Sequence, residues 1–117
     1  MAKLSTHVLD TVNGIPAPDV AVTLYRVTAA GRERLVQIRT NADGRTDQPL
    51  LSGDTIPTGV YELDFEAGDY FRGLGIKLPD PAFVDRVTLR FGIADASGHY
   101  HVPLLASPWT YSTYRGS

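Results

Sequence analysis

The feature that most constrains this chain is its punctuation. Eleven Gly and eight Pro are spread through 117 residues. The segments between them run about 6 to 10 residues, which suits strands better than helices and argues for a sandwich or barrel. Two segments alternate with period 2, as half-buried strands do. In Tyr61-Glu62-Leu63-Asp64-Phe65-Glu66 the apolar side chains share one face and the acids the other, and Val87-Thr88-Leu89-Arg90-Phe91 repeats the pattern. The acidic face of Glu62, Asp64 and Glu66 is expected to do no more than meet solvent.

Further strands are expected over Leu4 to Asp10, Val20 to Val27 and Leu35 to Thr40, the last two separated by Ala29-Ala30-Gly31. Asn13-Gly14 and Asn41-Ala42-Asp43-Gly44 supply turns. Tyr70, Phe71 and Leu74 fall at helical spacing, so one short helix is expected within Gly68 to Gly75. Two last strands, about Tyr100 to Leu105 and Thr110 to Arg115, flank Ser107-Pro108. There is no internal repeat, low-complexity tract or linker. The expectation is a single domain over 1–117, an all-β antiparallel sandwich.

Composition narrows the function classes. Hydrophobic residues at 43% and charged residues at 21% give the balance of a globular chain with a real core. A net charge of −2, with the Lys and Arg scattered, provides no field for a nucleic-acid backbone. The absence of cysteine removes disulfides, thiolate zinc sites and thiol nucleophiles. No stretch approaches the roughly 18 apolar residues of a spanning helix, and no apolar run follows the opening Met1 to His7. A soluble, cytoplasmic protein without membrane partners is the expectation.

The candidate chemistry lies in His7, His99 and His101, the three histidines of the chain. In the first strand Ser5, His7 and Leu9 point one way and Leu4, Thr6 and Val8 the other. His99 and His101 share a face of a late strand if that strand is regular. Imidazoles from two neighbouring strands can converge on one site, and their pKa suits proton transfer near neutrality. A lone strand histidine is more often a surface or hydrogen-bonded residue. A zinc site built on His7, His99 and His101 is a second reading of the same residues, ranked lower because no carboxylate accompanies the rings. Pro103 cannot donate within the late strand, so either the strand is irregular there or its edge is unpaired. Arg45, just past the Asp43-Gly44 turn, is an exposed arginine on general preference; functionally, its guanidinium would bind carbonyl oxygens and charge developing on them. The end of the chain, Tyr111 to Ser117, carries polar, aromatic and basic groups to its last residue.

Taken together, these segments resemble the 5-hydroxyisourate hydrolases. The resemblance is carried by Leu4-Ser5-Thr6-His7-Val8-Leu9-Asp10-Thr11 with Gly14-Ile15-Pro16-Ala17, by Thr40-Asn41-Ala42-Asp43-Gly44-Arg45, and by His99-Tyr100-His101-Val102-Pro103-Leu104-Leu105. Ser107-Pro108, Tyr111-Ser112-Thr113 and the terminal Tyr114-Arg115-Gly116-Ser117 complete it over nearly the whole chain. Transthyretin, a hormone carrier of the same fold, resembles the chain at Gly59-Val60-Tyr61 and Ser107-Pro108 but lacks counterparts of His7, Arg45, His101 and the terminal motif. The resemblance implies a homotetramer of eight-stranded transthyretin-like sandwiches, each with a short helix after the fifth strand. Active sites would lie in the channel where two dimers meet. It further implies hydrolysis of a cyclic amide without metal or other cofactor. His101 or His7 would polarise water, Arg45 would bind substrate and stabilise negative charge, Tyr114 would contact substrate, and Ser117 would orient histidine and water. His99 inherits no role. The alternative is a carrier that holds a small aromatic ligand without turning it over.

Overall fold

A computed structural model gives the structure and describes residues 1–116. Its first strand runs as two pieces, β1 (Ala2–Ser5) and β2 (Val8–Asp10), and a late strand runs as β9 (His99–His101) and β10 (Leu104–Ala106). The pieces belong together because the ladder continues between them: Val102 N–H donates to the Ser5 carbonyl and Leu104 N–H to the His7 carbonyl, both at 2.9 Å. This pairing is parallel, with Ser5 opposite His101 and Leu9 opposite Leu105. The short strands β3 (Ile15–Pro16), β6 (Leu51–Gly53) and β11 (Tyr111–Thr113) flank it antiparallel. The other layer is antiparallel throughout, in the order β5 (Gly31–Arg39), β4 (Ala21–Thr28), β7 (Gly59–Glu66), β8 (Arg86–Ile93). The expected sandwich is present, with one parallel seam that alternation alone did not suggest. Counting β1 with β2 and β9 with β10, and setting aside the two-residue β3, the described residues form eight principal strands.

The break in the late strand falls at Val102-Pro103. Pro103 has no N–H to donate, and its carbonyl instead accepts from the Thr113 hydroxyl at 2.7 Å. The strand is therefore irregular there, the first of the two options its sequence allowed.

Burial along residues 2–10 alternates strictly. Leu4, Thr6 and Val8 are inside, while Ser5, His7 and Leu9 are half-buried on the opposite face. The facing layer contributes Val22, Leu24, Tyr61, Leu63, Phe65 and Val87, all essentially inaccessible. Each such side chain stabilises the fold by roughly 1.5–3 kcal/mol relative to exposure. The acidic face of β7 departs from expectation. Asp64 is buried and accepts hydrogen bonds from Arg32 and from the Thr88 hydroxyl, Glu62 pairs with Arg32 and Arg90, and Glu66 pairs with Arg86. These acids tie β7 to β5 and β8 rather than simply meeting solvent.

The helix α1 spans Ala67–Gly73, directly after the fifth principal strand. It buries Ala67, Gly68 and Phe71. Its Tyr70 hydroxyl donates to the Asp10 carboxylate at 2.7 Å. Asp10 also accepts from the Val12 and Asn13 N–H groups and from the Asn13 side chain. Burial pushes the Asp10 carboxyl upward, but the bonds from Asn13, Tyr70 and Val12 together outweigh it and hold it below the usual carboxylate value. A group depressed in this way stabilises the fold above its unfolded pKa, and that contribution is lost as pH falls through the native one. Asp10→Asn should therefore lose about 1–3 kcal/mol of stability at pH 7. In urea denaturation the gap from wild type should narrow below about pH 4.

Candidate active site

The parallel seam sets the site. With Ser5 in register with His101, His7 lies one pleat further along the same face. The two imidazoles stand with ring centroids 6.4 Å apart and planes inclined by 42°.

Arg45 arrives through a locally encoded turn. The Asn41 side-chain oxygen accepts from the N–H groups of Asp43 and Arg45, and Asn41 N–H donates to the Arg45 carbonyl at 2.7 Å. Such an Asx turn is what asparagine favours. Gly44 then lets the turn press against the first strand. Its φ is +73°, and a Cβ there would stand 2.4 Å from the Val8 carbonyl oxygen. The Val8 N–H donates to the Gly44 carbonyl at 2.8 Å, and Arg45 lies in an antiparallel bridge opposite His7.

Each ring is tethered at one nitrogen. His7 Nε2 is 2.8 Å from the Asp43 carbonyl. A carbonyl only accepts, so this nitrogen carries a hydrogen and Nδ1 is the basic nitrogen of the neutral ring. His101 Nδ1 is 2.9 Å from the Ser5 hydroxyl, which leaves Nε2 available. The His101 backbone is clasped by Gly116, whose N–H donates to its carbonyl at 2.7 Å. A Cβ at Gly116 would come within 3.0 Å of the His101 ring, so glycine permits the close pass of the terminal segment. Burial, then the positive charge of Arg45, then His7 and Lys3, hold the His101 imidazole below its ordinary pKa. At neutral pH it is a neutral ring, able to take a proton.

Lys3, Ser5, Arg45, His99, Tyr100 and His101 line an open cleft of about 310 Å³, with His7 beside it. Imidazoles that accept and return protons, next to a guanidinium fork, can activate water and stabilise an oxyanion. Three expected site residues, His7, Arg45 and His101, are thus brought together. Tyr114 is not: its exposed ring lines a separate, mainly apolar groove with Leu89, Phe91 and Tyr100. Ser117 lies outside the described residues. His99 donates from Nε2 to the Met1 carbonyl and joins no metal-binding cluster of three or more ligands among the described residues. Lys3 and Ser5 were missed as site residues. The signal for both was their parity with His7 on the first strand.

Comparison with known proteins places this geometry in context. The family model "HIUase/Transthyretin family" matches residues 4–116. The chain is 59% identical over 117 residues to the 5-hydroxyisourate hydrolase of Ralstonia nicotianae, covering 100% of both. It superposes on the structure of Klebsiella pneumoniae 5-hydroxyisourate hydrolase with a TM-score of 0.81 and 37% identity, covering 100% of this chain and 94% of that one. Sea bream transthyretin in complex with thyroxine gives a TM-score of 0.85 at 28% identity, covering 97% and 94%.

Arg45→Gln removes one of the two larger causes of the depressed His101 pKa. Its inflection in an NMR titration should rise, yet stay below the ordinary imidazole value near 6.5 because burial remains.

Proposed function

The chain belongs to the HIUase/transthyretin family, and we propose that its cleft carries out the hydrolase chemistry of that family on 5-hydroxyisourate through His7, His101 and Arg45. The protein hydrolyses 5-hydroxyisourate, an intermediate of urate breakdown, opening the six-membered ring at a cyclic amide. The observation that carries the mechanism is the approach of the two imidazoles beside the Arg45 turn.

In this reaction a water oxygen bonds to the amide carbon while one imidazole takes the water's proton. The carbonyl oxygen becomes an oxyanion, which the Arg45 guanidinium stabilises. The carbon–nitrogen bond then breaks, the departing nitrogen takes a proton from an imidazolium, and the new acid ionises to a carboxylate. His101 suits the first transfer: it is held neutral, and its Nε2 is not engaged by Ser5. His7, with Nε2–H tied to Asp43 and Nδ1 basic, positions the water or returns the proton.

The working unit in this proposal is a cytoplasmic homotetramer whose active sites lie at the dimer–dimer interface. In support, half-buried Leu9 and Leu105 share the site's face, and Val12 after β2, Ile15 in β3 and Trp109 after β10 are exposed. An apolar rim of this kind suits closure by further copies. Tyr114 would reach substrate, and Ser117 would orient histidine and water, only within that closed site.

Freshly prepared 5-hydroxyisourate decays on its own, so the test is acceleration of that decay. Wild type should accelerate it, His101→Asn should lose about 10²–10⁴-fold in kcat and Arg45→Ala about 10²–10³-fold. A rate unchanged by the protein would indicate the carrier reading. Variants near wild-type turnover would reject these residue roles.

A further inference from the structure

Among the described residues, Ser5 is the side chain whose hydroxyl meets a ring nitrogen of either site histidine, with Oγ 2.9 Å from His101 Nδ1. Parallel register places Ser5 directly opposite His101, and Ser5 lines the same cleft. We propose that Ser5 is a positioning residue that fixes the orientation of the His101 ring and holds Nδ1, so that Nε2 exchanges the reaction's protons. This deepens the hydrolase reading and rests on it.

The chemistry follows from what a hydroxyl is. A carboxylate beside Nδ1 would only accept, and would pull His101 toward the imidazolium. A serine hydroxyl accepts or donates, as its rotor allows. While it accepts from Nδ1–H, the neutral ring presents a lone pair at Nε2. When Nε2 takes a proton, the bond from Nδ1–H persists and becomes charge-assisted, hence stronger. No heavy atom moves between the two states. The cleft already disfavours imidazolium through burial and through Arg45, His7 and Lys3. Ser5 offsets part of that penalty without introducing a negative charge. The Gly116 clasp fixes the His101 backbone, whereas Ser5 fixes its ring.

The test uses the intact protein labelled with ¹⁵N-histidine, in wild type and in Ser5→Ala, Ser5→Val and Ser5→Thr. Valine and threonine have nearly the same shape and differ by the hydroxyl. Without the hydroxyl, the imidazolium loses an acceptor, so the His101 inflection should fall further in Ala and Val. The balance of its two neutral tautomers should shift as well. Turnover of 5-hydroxyisourate should drop about 10–100-fold in kcat, part of the 10²–10⁴-fold that acid–base help supplies, with KM changed less than about threefold. Threonine should restore the inflection, the tautomer balance and kcat. If the His101 inflection and tautomers are the same in folded Ala and Val variants as in wild type, or if threonine behaves like valine, the proposal is overturned. The ¹⁵N titration needs no substrate. A wild type that failed to hydrolyse would therefore count against the hydrolase reading, and the titration would still decide the role of Ser5.

Discussion

Parallel pairing between the first strand and the late strand is the constraint on which the structure depends. Ser5 and His101 are 96 positions apart in the chain, and the ladder from β1–β9 through β2–β10 sets them opposite one another. Parallel neighbours cannot be joined by a tight turn, so nearly the whole chain must be folded between them. Such closure costs entropy and is repaid late, when Leu4, Val8 and Leu104 become buried. A buried Thr6 hydroxyl donating to the Val102 carbonyl at 2.7 Å pins the seam where the late strand breaks. One face of the seam thereby becomes core, and the other carries Ser5, His7 and His101. A one-residue slip would exchange the two faces, placing the imidazoles in the core and Leu4 and Val8 outside. The burial that stabilises the sandwich is thus also what fixes the catalytic face.

The electrostatics of that face follow from the same pairing. Its cleft gathers Lys3, Arg45 and two histidines, and no carboxylate side chain lines it among the described residues. Positive charge next to a half-buried imidazole favours the neutral ring. It also favours an anion forming beside it, so the groups that depress His101 are those that would stabilise an oxyanion. The acids are employed elsewhere: Glu62, Asp64 and Glu66 are paired with arginines on the outer layer, and Asp10 is committed to the turn after β2 and to α1.

Much of this was legible in the sequence, for reasons particular to each segment. Reading Leu4 to Asp10 as a strand was enough to separate Ser5, His7 and Leu9 from Leu4, Thr6 and Val8 before any partner was known, and burial follows that division. Asn41 and Gly44 announced a turn, and Pro103 announced either a break or an unpaired edge, of which the structure has the break. The helical spacing of Tyr70, Phe71 and Leu74 marked the helix to within a residue or two at each end, although Leu74 itself only caps it and is exposed. What alternation could not reveal was which strands are neighbours or in which direction they run, because period 2 is the same in parallel and antiparallel pairs. Ser5 was accordingly passed over. Its parity with His7 marked the face it shares, but only the register sets its hydroxyl against His101. Asp64 was read as solvated because its parity matches that of Glu62 and Glu66, yet Arg32 from the next strand but one covers it. Tyr114 was expected at the substrate because the terminal motif implies it; within one copy it lies just past the last strand, which ends at Thr113, and lines a separate groove.

The central claim is that sheet pairing brings His7 and His101 onto one site, and the small number of histidines makes it directly measurable. In a sample carrying protons on the histidine rings alone, a NOESY spectrum should contain cross-peaks between the His7 and His101 rings, whose centroids stand 6.4 Å apart. Absence of those cross-peaks, with both rings assigned and sharp, would place the imidazoles apart and contradict the account.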